Sequence, residues 1–338
     1  MRAMTDPSPS PYALLTPDHV LDALDALGFA PDGRLLQLNS YENRVWQAHT
    51  DGGEVVVAKF YRPGRWSDAQ IAEEHAFALA LAEAEVPVVA PLALPATAHA
   101  PAGTLARWPV GELAFRVAVS PRRVGQAANL EDPEVLRRLG HLMGRVHAVG
   151  RRQPFAHRRP INVQTLGWQP REALLQSPWL HPATDGGWPA ASAAALELAE
   201  AAFARHGPIA PLRLHGDAHA GNLLWREDSG PHLVDLDDCA SGPAVQDLWM
   251  LLPGEQGAVD AALAHLLAGY RTFAEFDERE LALIEPLRTL RLIHHSAWIA
   301  ARWDDPAFPP AFPWFEEPHY WARQAQVLRK QVGRMGNG

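Results

Sequence analysis

Leu214-His215-Gly216-Asp217-Ala218-His219-Ala220-Gly221-Asn222 is followed, after a short apolar run, by Val234-Asp235-Leu236-Asp237-Asp238. An Asp, an Asn five positions later and a second Asp at the end of an apolar run form the set that metal-assisted phosphoryl transfer requires. One carboxylate, Asp217, would accept or orient the proton of an attacking hydroxyl. An amide oxygen, Asn222, and a carboxylate, Asp235, would hold Mg²⁺ on a triphosphate. Asp235 follows His232-Leu233-Val234 and is expected to leave a strand end into a cleft, since a carboxylate there is costly unless paired or metal-bound. If that strand continues, alternation puts Asp237 on the same face as a secondary metal ligand and Asp238 on the other. Three carboxylates in four residues also repel one another without a cation nearby.

Upstream, Lys59 lies in Val55-Val56-Val57-Ala58-Lys59-Phe60, an apolar strand pattern. A lysine there is suited to pair with the α/β-phosphates of ATP and with a helix glutamate. Glu74 is the expected partner and Glu73 the alternative. No glycine-rich fingerprint or Walker A sequence is present. Asn39-Ser40-Tyr41-Glu42-Asn43-Arg44-Val45 stands between two strands instead, with backbone N–H groups and the Ser40 hydroxyl as phosphate donors. Each residue has a plainer reading alone. An Asp beside Gly often caps a turn, a strand Lys often faces water, and a polar loop is often a hairpin tip. The combination of offsets carries the functional reading. His215 and His219 are four apart, but Gly216 and Gly221 disfavour the helix that zinc binding would need, so His215 reads as a loop brace. Trp249, Trp298, Trp303, Trp314 and Trp321 read as core.

The chain has 338 residues, 47% of them hydrophobic, which suits two lobes and a sizeable core. A net charge of −9 disfavours non-specific nucleic-acid binding. Cys239 is the only cysteine, so no internal disulfide or cysteine zinc cluster is possible, as fits a reducing cytoplasm. No apolar run approaches the roughly 20 residues of a membrane span, and the N-terminus lacks a signal pattern. A soluble cytoplasmic monomer without membrane or nucleic-acid partners is expected. Residues 1–13 are expected to be disordered. Residues 14–120 hold a short helix over 17–27, several strands and a helix over 68–85, a small strand-rich, ATP-binding lobe. Residues 121–338 read as a larger, mostly helical, catalytic and substrate-binding lobe, irregular over 151–189, with helices over 132–146, 190–205, 244–252, 258–273, 278–303 and 319–332. Pro286 is expected to kink or break the penultimate one. The fold class is α+β, a bilobal protein-kinase-like architecture.

The segments 39–45, 59–63, 215–225 and 234–238, the run Gly242-Pro243-Ala244-Val245-Gln246-Asp247-Leu248-Trp249 and the tail Arg302-Trp303-Asp304-Asp305-Pro306 together resemble the stress response kinases. These form a branch of the aminoglycoside and choline kinase-like superfamily. The resemblance spans about residues 14–326 and is looser at 113–126 and 169–189. It implies an ATP- and Mg²⁺-dependent serine/threonine protein kinase that autophosphorylates and acts in envelope and oxidative stress. It implies Asp217 as proton acceptor, Asn222 and Asp235 as Mg²⁺ ligands and Ser40 as an ATP-loop contact. The same motifs also serve small-molecule kinases of amino alcohols or antibiotics, and an inactive nucleotide-binding scaffold is the remaining alternative.

Overall fold

The computed structural model describes residues 10–181, 185–252 and 256–336. The expected disorder of residues 1–9 lies outside them. Residues 10–13 are ordered, contrary to expectation, because Tyr12 is buried and donates its hydroxyl to Phe60 O at 3.1 Å.

Helix α1 (Pro17–Ala26) starts at a Thr16 capping box, with proline at its first turn where the missing N–H is harmless. Five antiparallel strands follow: β1 (Pro31–Leu38), β2 (Arg44–Thr50), β3 (Val55–Phe60), β4 (Ala106–Val110) and β5 (Leu113–Pro121), in the order β1-β2-β3-β5-β4. Helix α2 (Asp68–Glu83), capped by Ser67, lies between β3 and β4 in sequence. Strand alternation sends Val56, Ala58 and Phe60 into a core with Leu24, Phe115, Val117 and Val119. Lys59 therefore points to the opposite face.

The chain leaves β5 through residues 122–126 into the helical lobe. Gln126 and Trp225 exchange backbone hydrogen bonds at 2.9 and 2.8 Å. A Cβ on Gly125 would stand 2.7 Å from Leu224 Cβ, so glycine permits that approach.

The second lobe begins with α3 (Pro133–Gly150), whose buried stripe includes Leu136, Leu139, Leu142, Met143 and Val146. The segment expected to be irregular instead contains a π-helical turn (Gln164–Trp168) running into α4 (Gln169–Leu175). Its helicity depends on a tertiary contact: Gly167 admits Leu196 and Leu290, which a Cβ would meet at 2.5 and 2.9 Å. Then come α5 (Trp188–Arg205), β6 (Leu212–Leu214), the hairpin β7 (Leu223–Arg226) and β8 (Gly230–Leu233), and β9 (Ala240–Gly242), which pairs with β6. Helices α6 (Val245–Trp249), α7 (Gln256–Tyr270), α8 (Ile284–Ala300), α9 (Phe308–Ala311) and α10 (Tyr320–Gly336) complete the lobe. The reading over 278–303 divides into a 3₁₀ segment (Glu278–Leu283) and α8. Pro286 sits in the first turn of α8, so the break precedes it. The chain is thus α+β, with a five-stranded antiparallel lobe followed by a mainly helical one.

Candidate active site

The loop carrying Asp217 leaves β6 and is held from beneath by Asp247. The two Asp247 carboxylate oxygens accept from His215 N and Gly216 N, each at 2.8 Å. Asp247 is itself fully buried beside His147 Nε2 at 3.1 Å, and His147 Nδ1 meets Tyr270 OH at 3.0 Å. Gln246 Nε2 donates to Gly216 O at 3.0 Å. Gly216 has φ +84°, a left-handed conformation, and a Cβ there would collide with Asp238 O. Glycine thus lets the loop lie against the 235–238 turn.

His215 braces the loop, as its sequence setting suggests. Its Nε2 contacts Val234 O at 2.8 Å, which assigns the proton to Nε2 and leaves Nδ1 to accept from Asp217 N at 3.3 Å. Val234 N in turn donates to Asn222 O at 3.0 Å. This extends the β7–β8 pairing by one step, so that Asn222 lies opposite Val234, the residue before Asp235.

Asp217 is partly buried. Arg291 Nη1 donates to its Oδ1 at 2.5 Å, and His219 Nε2 lies 3.4 Å from Oδ2. Burial works to raise its pKa, but His219 and the Arg291 charge prevail and hold it well below the usual carboxylate range. Asn222 Nδ2 donates to Asp217 O at 2.9 Å, which leaves the amide oxygen to act as a ligand.

Strand alternation does not continue past β8. Asp235 adopts φ +59°, and Leu236–Asp238 form a 3₁₀ turn. The two carboxylates consequently take different surroundings. The Asp235 side chain is 52% exposed and that of Asp237 only 4%. Asp237 Oδ1 lies 2.9 Å from Lys59 Nζ, while Oδ2 accepts from Asn43 Nδ2 at 3.2 Å and from Arg65. Asp237, expected as a secondary metal ligand, is here an ionic anchor for Lys59, Arg65 and the 39–43 loop. Asp238, by contrast, is exposed and pairs with Arg65 at 2.5 Å.

Lys59 Nζ lies 3.2 Å from Glu74 and 3.3 Å from Asp235. Burial opposes its charge, but Asp237 and Glu74 keep it protonated. Glu74, not Glu73, is its helix partner. Glu74 also accepts from Tyr61 OH at 3.1 Å and from the buried Arg158 at 2.7 Å. Glu73 turns outward and accepts from the N–H groups of Ala156, His157 and Arg158. It thereby fixes the segment that delivers Arg158, whose Nη1 donates to Asp237 O at 2.6 Å.

The β1–β2 loop holds Ser40, which has no hydrogen bond among the described residues. Its neighbours are tied down. The Tyr41 ring lies 5.2 Å from Phe312. Glu42 accepts from Trp298 Nε1 at 2.5 Å and pairs with Arg302 at 2.6 Å and Arg62 at 3.0 Å. Asp305 meets Arg44 at 2.9 Å and Arg62 at 2.7 Å. Trp249, Trp303 and Trp321 are core residues as expected, and Trp298 and Trp314 pack, partly buried, against the same core.

Sequence reasoning missed Asp247, Arg158, Arg65, Asn43 and Arg291. Among them only α8 carried a periodic signal: Arg291, His294, His295, Trp298 and Arg302 recur at helical spacing. Among the described residues no group of three or more His, Cys, Asp or Glu side chains has a metal-holding arrangement.

Residues 34–284 match the phosphotransferase enzyme family model. The chain belongs to that family. Curated relatives of this phosphotransferase include stress response kinase A of Escherichia coli, 42% identical over 95% of this chain and 94% of that protein. The serine/threonine protein kinase RdoA of Salmonella typhimurium is 39% identical over 95% and 94% of the two chains. Solved structures with the same fold include a microcompartment-associated aminopropanol kinase, at 18% identity and TM-score 0.72 over 94% of this chain and 98% of that one. An amicoumacin kinase in complex with AMP-PNP and Ca²⁺ gives 17% identity and TM-score 0.71 over 95% and 93%. At such identities these two speak for the fold alone. The phosphotransferase has no helix among its described residues long and apolar enough to cross a membrane.

Proposed function

We propose that this phosphotransferase is an ATP- and Mg²⁺-dependent serine/threonine protein kinase of the bacterial stress response. The observation that carries the phosphoryl-transfer chemistry is that Asn222 bonds Asp217 O through its side chain and Val234, next to Asp235, through its backbone. Protein hydroxyls as acceptors rest on the 42% and 39% identity to relatives bearing kinase names over nearly the whole chain.

The donor set suits Mg²⁺. This cation takes hard oxygen ligands, usually one or two side chains completed by phosphate and water. Asn222 has its amide nitrogen committed and its oxygen available, and Asp235, one residue past the backbone partner of Asn222, is half-exposed. When bound there, Mg²⁺ would neutralise charge on the transferring phosphate. Lys59, held by Glu74, is placed to meet the α/β-phosphates. The Ser40 hydroxyl, in a loop pinned through Tyr41, Glu42 and Asn43, is a donor to the phosphates from above. Asp217 is ionised and orients the acceptor hydroxyl, taking its proton as the oxygen attacks. Positioning and charge placement supply most of the rate.

The test is transfer from γ-labelled ATP with two sets of acceptors, generic serine/threonine proteins and a panel of amino alcohols and aminoglycosides. Label in protein serine or threonine and none in the small alcohols is expected. Label confined to an alcohol would replace this reading with a small-molecule kinase. ADP formation absent under every condition would leave a nucleotide-binding scaffold.

A further inference from the structure

Helix α8 lays one face along the mouth of the cleft, from the proposed base to the nucleotide loop. Arg291 binds Asp217 at 2.5 Å, and Trp298 and Arg302 reach Glu42 at 2.5 and 2.6 Å. His294 and His295 lie between them. His294 interacts electrostatically with Asp238, Arg159, Arg291 and Arg302, and His295 with Arg291 and Asp217. Both imidazoles are pushed down to about 4, chiefly by burial, so they are neutral near pH 7.

The charges around this face are unevenly matched. Glu42, Asp237 and Asp238 are each already paired with arginine, and Asp217 is paired with Arg291. Arg159 is exposed and makes no ion pair among the described residues; it lies over the Trp66 ring at 5.1 Å. Partial desolvation of its guanidinium and the nearby Arg65 and Arg158 charges press its pKa down against the attraction of Asp238, which is already paired with Arg65. A cationic acceptor entering here would meet Arg159, Arg291 and Arg302 and find its carboxylates occupied. An anionic one would complete the pairing.

We infer that the α8 face and Arg159 form an acceptor subsite for a hydroxyl flanked by an acidic group, a serine or threonine in an acidic segment of a protein. This deepens the protein-kinase reading and rests on it. Arg159 would take the flanking carboxylate. Arg291 is a positioning residue that holds Asp217 toward the incoming hydroxyl.

The experiment uses two peptides of equal length with a single serine, one flanked by glutamates and one by lysines, with wild type, Arg159→Gln and Arg159→Lys. Autophosphorylation and ADP release report the transfer machinery separately. Wild type is expected to favour the acidic peptide by roughly tenfold in kcat/KM, mainly through KM, as a charge-assisted hydrogen bond would give. Arg159→Gln is expected to raise KM for the acidic peptide with kcat kept, and Arg159→Lys to retain most of the preference. Equal use of both peptides, preference for the basic one, or an unchanged KM in Arg159→Gln, with autophosphorylation intact, overturns the subsite and leaves the protein-kinase reading standing. Neither peptide labelled while an amino alcohol is labelled overturns both.

Discussion

Lys59 touches three carboxylates, and the three are not equivalent. Asp237 is buried and anchored by Arg65 and Asn43, Glu74 is buried and shared with Arg158, and Asp235 is half-exposed. The first two hold the ammonium in place; the third, 3.3 Å away, is the most solvent-accessible of the three and is the one proposed to serve the metal. Glu74→Gln is expected to lower kcat/KM at least about tenfold and to cost roughly 1–3 kcal/mol of stability, because a buried cation loses one of its counter-charges. Glu73→Gln is expected to leave the rate within about threefold, since Glu73 serves the backbone of 156–158 and not Lys59, and surface changes are usually small. Parallel kinetics and denaturant melts of the two variants check this; equal loss of rate in both would contradict the assignment. The strand setting of Lys59 and its pairing with Glu74 were legible in the sequence because strand parity is local; the roles given to Asp217, Asn222 and Asp235 rest on short offsets and belong to the proposed mechanism. Arg158 and Arg291 were not legible, since each reaches its partner across more than seventy positions through helix and loop packing. The common strand face expected for Asp235 and Asp237 does not form, because a left-handed residue at 235 ends the strand parity.

At the scale of elements, the loop that presents Asp217 is only as rigid as the helices beneath it. Helix α3 carries His147 and α7 ends on Tyr270, the two links of the chain of contacts leading to Asp247. These helices approach through reciprocal glycines. A Cβ on Gly140 would fall on Leu266 O, and one on Gly269 on Arg137 O. Gly140→Ala is expected to destabilise the protein by about 1–3 kcal/mol through overpacking, despite the better helix propensity of alanine. Urea denaturation measures it, and an unchanged or raised midpoint would contradict this close packing. The starts of α1, α2 and α3 could be read from local signals, whereas α3 runs four residues beyond the expected 146 and α5 begins two before the expected 190, behind a glycine with no side-chain cap. The π-helical turn and α4 could not be read, since their helicity depends on Leu196 and Leu290 closing over Gly167. Strand β6 is three residues long and exists by pairing with β9, a contact with no local signature.

For the whole molecule, pH should act on stability through buried histidines. Burial pushes the imidazole of His75 down to about 3 and those of His294 and His295 to about 4. In the unfolded chain they titrate near about 6.5. Between those values the unfolded state binds more protons, so stability falls as pH falls. Glu280, pushed up to about 7 by burial, and Glu74, also raised by burial, work in the opposite sense, two carboxyls against His75, His294, His295 and the likewise lowered His232. Below the ordinary carboxylate range, the depressed Asp217 and Asp237 add to the loss. Thermal melts are expected to show Tm falling steadily from about pH 7 to about pH 5; a flat or rising Tm over that window would contradict it. The bilobal plan itself was legible, because strand-rich and helix-rich patterns are segregated along the chain. The tie between the lobes, in which Arg44 and Arg62 meet Asp305 and Tyr41 meets Phe308 and Phe312, joins residues too distant in sequence to be paired by pattern.

The central claim is that Asp217 drives transfer of the γ-phosphate to a serine or threonine hydroxyl. It is tested most directly by mapping phosphorylated residues by mass spectrometry after incubation with Mg²⁺-ATP and a protein acceptor, wild type beside Asp217→Asn. Phosphoserine or phosphothreonine in the wild-type reaction, reduced at least about a hundredfold in rate by the variant with its melting temperature kept, is the expected result. Equal phosphorylation by both proteins would contradict it.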